Sequence, residues 1–305
     1  MKLPEDYPKL VTRCELPKDK SWKIYNDCGK LVHYNIASQM TNLNGMFSYD
    51  SLITFETDLS SITTAKNMFD GCSNLTSFTS DLSSLTDGYR MFYDCSNLTT
   101  FNSDLSSLTN GSYMFSNTGI REWNTDLSNV VNGESMFSYC DNLTTFNSDL
   151  SSLTECRYLF AEVPCLTTIN ADFSSLTTGS NMFYLKNSVT TFIGDLSSLT
   201  NGDEMFCYCS KLENFTSDLS SLTSGYNMFY SCVLSAESVE NILSSLPYVS
   251  GSNFLTLGVS DEGLVKAEEI IQNVDEYLCG TYKGWRIHMY KNVASSTNCS
   301  CGSCC

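Results

Sequence analysis

The residues able to do covalent or acid–base chemistry in this chain are few in kind: two histidines, His33 and His288, fifteen cysteines, and an aspartate that recurs at an almost fixed interval. A catalytic centre needs a nucleophile, a base and an orienting group within hydrogen-bond reach. The sequence has no Gly-rich phosphate loop, no Gly-x-Ser-x-Gly elbow and no His/Glu metal pair, and each histidine stands alone in an opposite flank. These residues predict no catalytic site and no cofactor.

The cysteines fall into two sets. Cys72, Cys95, Cys140, Cys209 and Cys232 each stand three residues after a Phe, and their register mates are Asp50, Thr118, Val163 and Lys186. A slot that accepts such replacements is not built on disulfide pairing. It reads as a small buried side chain in a reducing setting. The other set is Cys299, Cys301, Cys304 and Cys305. Four thiolates can enclose a tetrahedral metal, yet no knuckle flanks them, so a flexible end is expected, with metal capture or intermolecular cross-linking as alternatives.

The aspartates are Asp58, Asp81, Asp104, Asp126, Asp149, Asp172, Asp195 and Asp218, each opening Asp-Leu-Ser-Ser or a variant of it. If each lies on its own turn of a stack, neighbours ~4.8 Å apart repel by roughly 0.9 kcal/mol in water. Backbone N–H groups of the same turn would offset that, as in Asx turns and helix N-caps. Calcium would too, but one Asp and two serines per turn make a poor calcium loop. We expect a structural turn column and no metal.

What positions these residues is a repeat. Met-Phe pairs begin at Met46, Met68, Met91, Met114, Met136, Met182, Met205 and Met228, with Leu159-Phe160 in the remaining place, and the steps are 22 or 23 residues. The aspartates keep the same step. Two markers in one register predict a supersecondary unit stacked on its own copies. Within a unit, Leu98 and Phe101 bracket a Thr-rich strand, Asp104 begins a turn, Leu105 and Leu108 follow, and Gly111 sits at a second corner before Met114 and Phe115. Gly88, Gly133, Gly179, Gly202 and Gly225 share that corner, with Cys156 replacing Gly once. The glycines suggest a backbone with φ > 0 there.

Met-Phe, Cys three residues on and Leu three beyond, as in Met91, Phe92, Cys95 and Leu98, resembles the BspA-type leucine-rich repeats of bacterial surface proteins. The stretch SLTNGSYMF is similar to Met-Phe surface-protein repeats of mycoplasmas. The resemblance implies a β-rich, leucine-rich-repeat-like solenoid of about nine rungs, and surface recognition or adhesion without a named ligand. DLSS stands where many members carry a proline-containing turn.

Four segments are expected: an N-terminal cap (1–41), the solenoid (42–232), an α/β C-terminal cap (233–292) and a Cys-rich tail (293–305). In the cap, Ser235 is a candidate N-cap for a helix ending at Pro247, with Val239, Ile242, Leu243 and Leu246 on one face. FLTLGV at 254–259 reads as a strand. A second helix is expected from Asp261 to Leu278, with Leu264, Ala267, Ile271, Val274 and Leu278 inward. Alternation of Trp285, Ile287 and Met289 gives a last strand.

The units differ from one another around Met-Phe. Tyr89, Arg90, Tyr93, Tyr113, Glu134, Tyr139, Tyr158, Tyr184, Asp203, Glu204, Tyr208, Tyr226 and Tyr230 stand there, with Tyr49 in the first unit, amid Ser and Asn. A constant frame carrying a variable Tyr-rich flank has the chemistry of a recognition surface, and those side chains are the candidate ligand contacts. The alternative is that they only seal the corners. Asn-Leu-Thr at Asn74, Asn97 and Asn142 keeps a fixed register, which assigns it to a turn rather than to glycosylation.

The net charge is −17, and residues 41–234 hold 21 acidic against 6 basic side chains. That disfavours nucleic acid and anionic membrane as partners, because phosphate binding needs clustered cations, and no apolar run is long enough to span a membrane. The expected partner is a protein or glycan, or other virion proteins if the chain is a bacteriophage tail or head decoration. The start of the chain shows no signal-peptide pattern, so cytoplasmic synthesis is expected, with a bacterial cell surface or a phage particle as the final site.

Overall fold

Each period closes one rung because its apolar residues sit at three corners and its backbone polar groups find partners one rung away. A computed structural model describes residues 41–55, 58–185, 188–251, 253–275 and 277–291, together with the backbone of an antiparallel pair, β1 (Trp22–Tyr25) and β2 (Leu31–Asn35). The expectations for the tail at Cys299–Cys305 fall outside these residues.

The first wall of the solenoid is built from strands of two or three residues. β3 (Thr54–Phe55), β4 (Ser77–Phe78) and β5 (Thr100–Phe101) form one parallel sheet. β6 (Glu122–Trp123), β7 (Thr145–Asn147) and β8 (Thr168–Asn170) form a second, and β9 (Thr191–Ile193) pairs with β10 (Asn214–Thr216). The break between β5 and β6 falls at a step one residue shorter, Phe101 to Trp123. A second wall is a line of single parallel bridges running Asn42, Thr64, Asp87, Asn110, Asn132, Glu155, Thr178, Asn201, Ser224. Threonines beside it tie rung to rung: the hydroxyls of Thr86, Thr109, Thr177 and Thr200 donate to the carbonyl oxygens of Thr63, Thr86, Thr154 and Thr177 at 2.9–3.0 Å.

The third wall is the Met-Phe segment, which is neither strand nor helix. In one rung the N–H groups of Gly88, Arg90, Phe92 and Asp94 all donate forward, to the carbonyls of Asn110, Ser112, Met114 and Ser116. The N–H groups between them, of Met91, Tyr93 and Cys95, close turns back to Gly88, Arg90 and Phe92. Successive turns of one hand would wind into a helix. Left-handed residues before the Met and three after it reverse that winding: Arg90 (φ 54°) and Asp94 (58°), Tyr113 (59°) and Asn117 (56°), Glu204 (57°) and Tyr208 (62°).

This corrects the expectation for the corner glycines. Gly88, Gly111, Gly133, Gly179, Gly202 and Gly225 do not have φ > 0. Where a Met follows in the next rung, they are small for space. A Cβ on Gly88 would stand 2.8 Å from Met114 Sδ, and one on Gly111 2.7 Å from Met136 Sδ.

Two aromatic columns fill the core. Phe47, Phe69, Phe92, Phe115, Phe137, Phe160, Phe183, Phe206 and Phe229 stack rung on rung with centroids 5.1–6.0 Å apart. Phe55, Phe78, Phe101 and Trp123 form a facing column whose rings meet the first edge-on, as between Phe78 and Phe92 at 4.8 Å and 67°. Each such pair adds about 0.5–1.5 kcal/mol beyond burial. The Cys slot lies beside them. The thiols of Cys72, Cys95, Cys140, Cys209 and Cys232 donate to the carbonyls of Phe47, Phe69, Phe115, Phe183 and Phe206 at 3.0–3.3 Å. Thr118 fills the slot in its rung by donating to Phe115 O at 2.9 Å.

The array ends in a four-stranded sheet in the order β11 (Gly225–Leu234), β12 (Phe254–Val259), β14 (Trp285–Lys291), β13 (Cys279–Tyr282). β11 contains the last Met-Phe turn, and its five residues from Gly225 to Phe229 span only three of β12, Leu255 to Leu257. β12 thus covers the forward-pointing edge of the last rung, and Gly258 lets the backbones meet: a Cβ there would stand 2.5 Å from Cys232 N. Helices α1 (Ala236–Ser245) and α2 (Asp261–Ile270) connect the strands, N-capped by Ser235 and Ser260. The second helix is shorter than expected. Asn273 and Leu278 have left-handed φ, Gln272 and Thr281 exchange two backbone hydrogen bonds, and Asp275 Oδ1 accepts from the N–H groups of Tyr277 and Cys279. The apolar spacing continued past Ile270 while the backbone had left the helix.

Candidate recognition groove

The Met-Phe wall presents four side-chain columns outward, two before the Met and two after the Phe. Their residues change from rung to rung, and the change shapes the surface. Just after the Phe the column reads Tyr93, Ser116, Ser138, Ala161, Tyr184. Three small residues between two tyrosines leave a depression of about 490 Å³. Its floor is Ser116, Ser138 and Ala161. Tyr93 and Tyr184 stand at its two ends, and Tyr113, Tyr158, Tyr139, Glu162, Asn181 and Glu204 line it between them.

The polar groups around this groove are tied down. Ser116 Oγ and Ser138 Oγ are 2.9 Å apart, and Ser138 Oγ donates to Ser135 O. Tyr113 donates its phenol to Glu134 Oε1 at 3.0 Å, and Asn181 donates to Glu204 Oε2 at 2.7 Å. A hydrogen bond to Glu162, and then burial, pushes the Tyr139 phenol above its ordinary pKa of 10.0. Burial first, and then Glu134, does the same to Tyr113. Both remain neutral donors at physiological pH.

The candidate contacts therefore separate into groups. Tyr93, Tyr113, Tyr139, Tyr158, Tyr184 and Glu204 share the groove. Tyr208 and Tyr230 continue from Tyr184 as an edge-to-face row, at 5.8 and 5.3 Å, that ends on Tyr290 of β14. Tyr89 packs edge-on against Tyr113 at 6.0 Å. Asp203 accepts from Ser224 Oγ at 2.6 Å and from the Tyr226 N–H at 2.8 Å, joining two rungs, while the Tyr226 side chain is exposed. Arg90 lies over the Tyr93 ring, 3.8 Å from its centroid, with Nε 3.4 Å from Asp70 Oδ2. That ion pair is not a hydrogen bond: among the described residues neither Arg90 Nε nor Asp70 Oδ1 has a hydrogen-bond partner. Glu162 and the Ser116-Ser138-Ala161 floor were not among the residues expected from sequence. Their signal in the sequence was a run of three successive small residues between Tyr93 and Tyr184.

Each turn-column aspartate accepts the N–H two residues on: Asp58, Asp81, Asp104, Asp126, Asp149, Asp172, Asp195 and Asp218 with Ser60, Ser83, Ser106, Ser128, Ser151, Ser174, Ser197 and Ser220, at 2.7–2.9 Å. Beside three of them an asparagine ladder runs Asn124, Asn147, Asn170 along a more open groove. Among the described residues no three His, Cys, Asp or Glu side chains stand close enough to hold a metal ion.

No curated protein matches the chain. Among solved structures it is similar to a leucine-rich repeat protein from Bacteroides ovatus, at 14% identity and a TM-score of 0.40, over 79% of this chain and 67% of that one. The family model described as the BspA type Leucine rich repeat region matches in 6 copies across residues 21–144 and 133–254, more than three quarters of the chain. With its short parallel strands, Leu corners and Met-Phe turns stacked rung on rung, this chain belongs to the BspA-type leucine-rich repeat family.

Proposed function

We propose that this chain is a non-enzymatic recognition and adhesion module that binds its partner on the Met-Phe wall, with the groove as the contact centre. The observation that carries this reading is the run of Ser116, Ser138 and Ala161 between Tyr93 and Tyr184, which leaves a concave site lined by tyrosines. Tyrosines half-exposed on a rigid ladder bring contact area at low entropic cost. The turn column, whose aspartates are engaged by their own backbone, supports the scaffold and takes no part in contact. Binding of the intact chain to immobilised extracellular-matrix proteins and to a glycan array tests this, with a Tyr139→Asn/Tyr158→Asn variant beside it. Both positions have φ near 58°, and Asn tolerates that backbone well, so the variant should fold. Loss of binding at an unchanged melting temperature is the expected result. A hit that the variant binds equally well would move the site elsewhere.

A further inference from the structure

We propose that the groove receives an arginine side chain from an extended peptide segment of its partner; this rests on the groove being the recognition site. The walls combine what a guanidinium needs: the rings of Tyr139 and Tyr158, and carboxylates at Glu162 and Glu204. Among the described residues no basic side chain lines the groove to compete for those carboxylates. The molecule already contains the arrangement once. At the groove's end Arg90 stacks on Tyr93, 3.8 Å from the ring, and pairs with Asp70. Inside the groove the aromatic and acidic partners are present, and none of the described residues lining it supplies the cation. The planar guanidinium suits this better than an ammonium, because it can stack on a ring and fork onto a carboxylate together. The surrounding array, with 21 acidic against 6 basic side chains over residues 41–234, draws a cation toward it.

Titration of the full-length protein, ring-labelled at tyrosine, with the blocked peptide Gly-Gly-Arg-Gly-Gly tests the proposal by NMR, against the same peptide carrying neutral, near-isosteric citrulline. Expected are shifts of the Tyr113, Tyr139 and Tyr158 rings with the arginine peptide, little response to citrulline, and roughly tenfold weaker binding in Glu162→Gln/Glu204→Gln. Equal response to the two peptides, or groove shifts only with a neutral oligosaccharide such as cellotetraose, would overturn the arginine assignment and leave the recognition reading standing. Silence of the groove rings toward every probe would overturn both.

Discussion

At the scale of the residue, polar side chains hold the rungs together by satisfying the backbone. The Cys slot is the clearest case. A thiol donates to a Phe carbonyl of the preceding rung, and burial pushes its pKa up, to about 11 at Cys140. Alkylation at pH 8 followed by peptide mapping should therefore leave Cys140 unmodified in the folded chain and modify it after denaturation. Cys140→Ala should cost about 1–3 kcal/mol, since it leaves a cavity and removes a donor from a buried carbonyl. The aspartates make a second prediction. The Ser60 hydroxyl and N–H lower the Asp58 carboxyl below 3.8, and Ser197 does the same for Asp195. A depressed folded pKa gives stability that is present above 3.8 and lost as pH falls through the lower folded value. Asp58→Asn/Asp195→Asn should flatten the acid limb of a melting-temperature profile below pH ~4 by lowering the pH 7 value toward the acid one, because the amide oxygen can still accept the same N–H but without the charge. A parallel acid limb in the variant would assign the loss to other carboxylates.

At the scale of the element, the Met-Phe turn and the following rung's Met fit as a pair. Gly111→Ala would place a Cβ 2.7 Å from Met136 Sδ and should destabilise by about 1–3 kcal/mol. Gly133, which faces Leu159 where other rungs have Met, has its nearest neighbour at 3.1 Å, Leu153 Cδ1. Met136→Leu should accordingly recover part of the Gly111→Ala loss, which a double-mutant cycle measures as a coupling energy. A cycle with no coupling would mean that the glycine serves the backbone instead. At this scale the short strands, the cap strands Phe254–Val259 and Trp285–Lys291 and the first helix were legible from alternation, helical spacing and capping. The end of the second helix was not, because the inward spacing of Ile271, Val274 and Leu278 also fits an irregular segment packed on the same core.

At the scale of the whole molecule, the forward-pointing N–H groups of every Met-Phe turn create an edge that must be closed at the last rung. β12 closes it, with Asn227 N–H donating to the Thr256 hydroxyl at 3.3 Å and Gly258 against Cys232. Removing everything after residue 251 leaves that edge open and exposes the β11 face. Light scattering coupled to size exclusion should then find association or precipitation where the full chain gives a defined species. A soluble truncation with an unaltered size and melt would mean that the last rung needs no cover.

The sequence by itself determined the repeat, its length, its membership of a leucine-rich solenoid class and which residues face inward, because stacking identical units forces apolar positions and turn formers to recur in register. The tertiary structure decided three things the period could not. It placed φ > 0 on Arg90, Tyr113 and Tyr139, leaving the corner glycines in ordinary backbone, since that choice depends on which N–H groups face the next rung. It paired the two Phe columns edge to face, which needs both walls in position. And it made a groove from Ser116, Ser138 and Ala161, because concavity is a relation among neighbouring rungs, and residues 23 apart become neighbours only once the chain has wound.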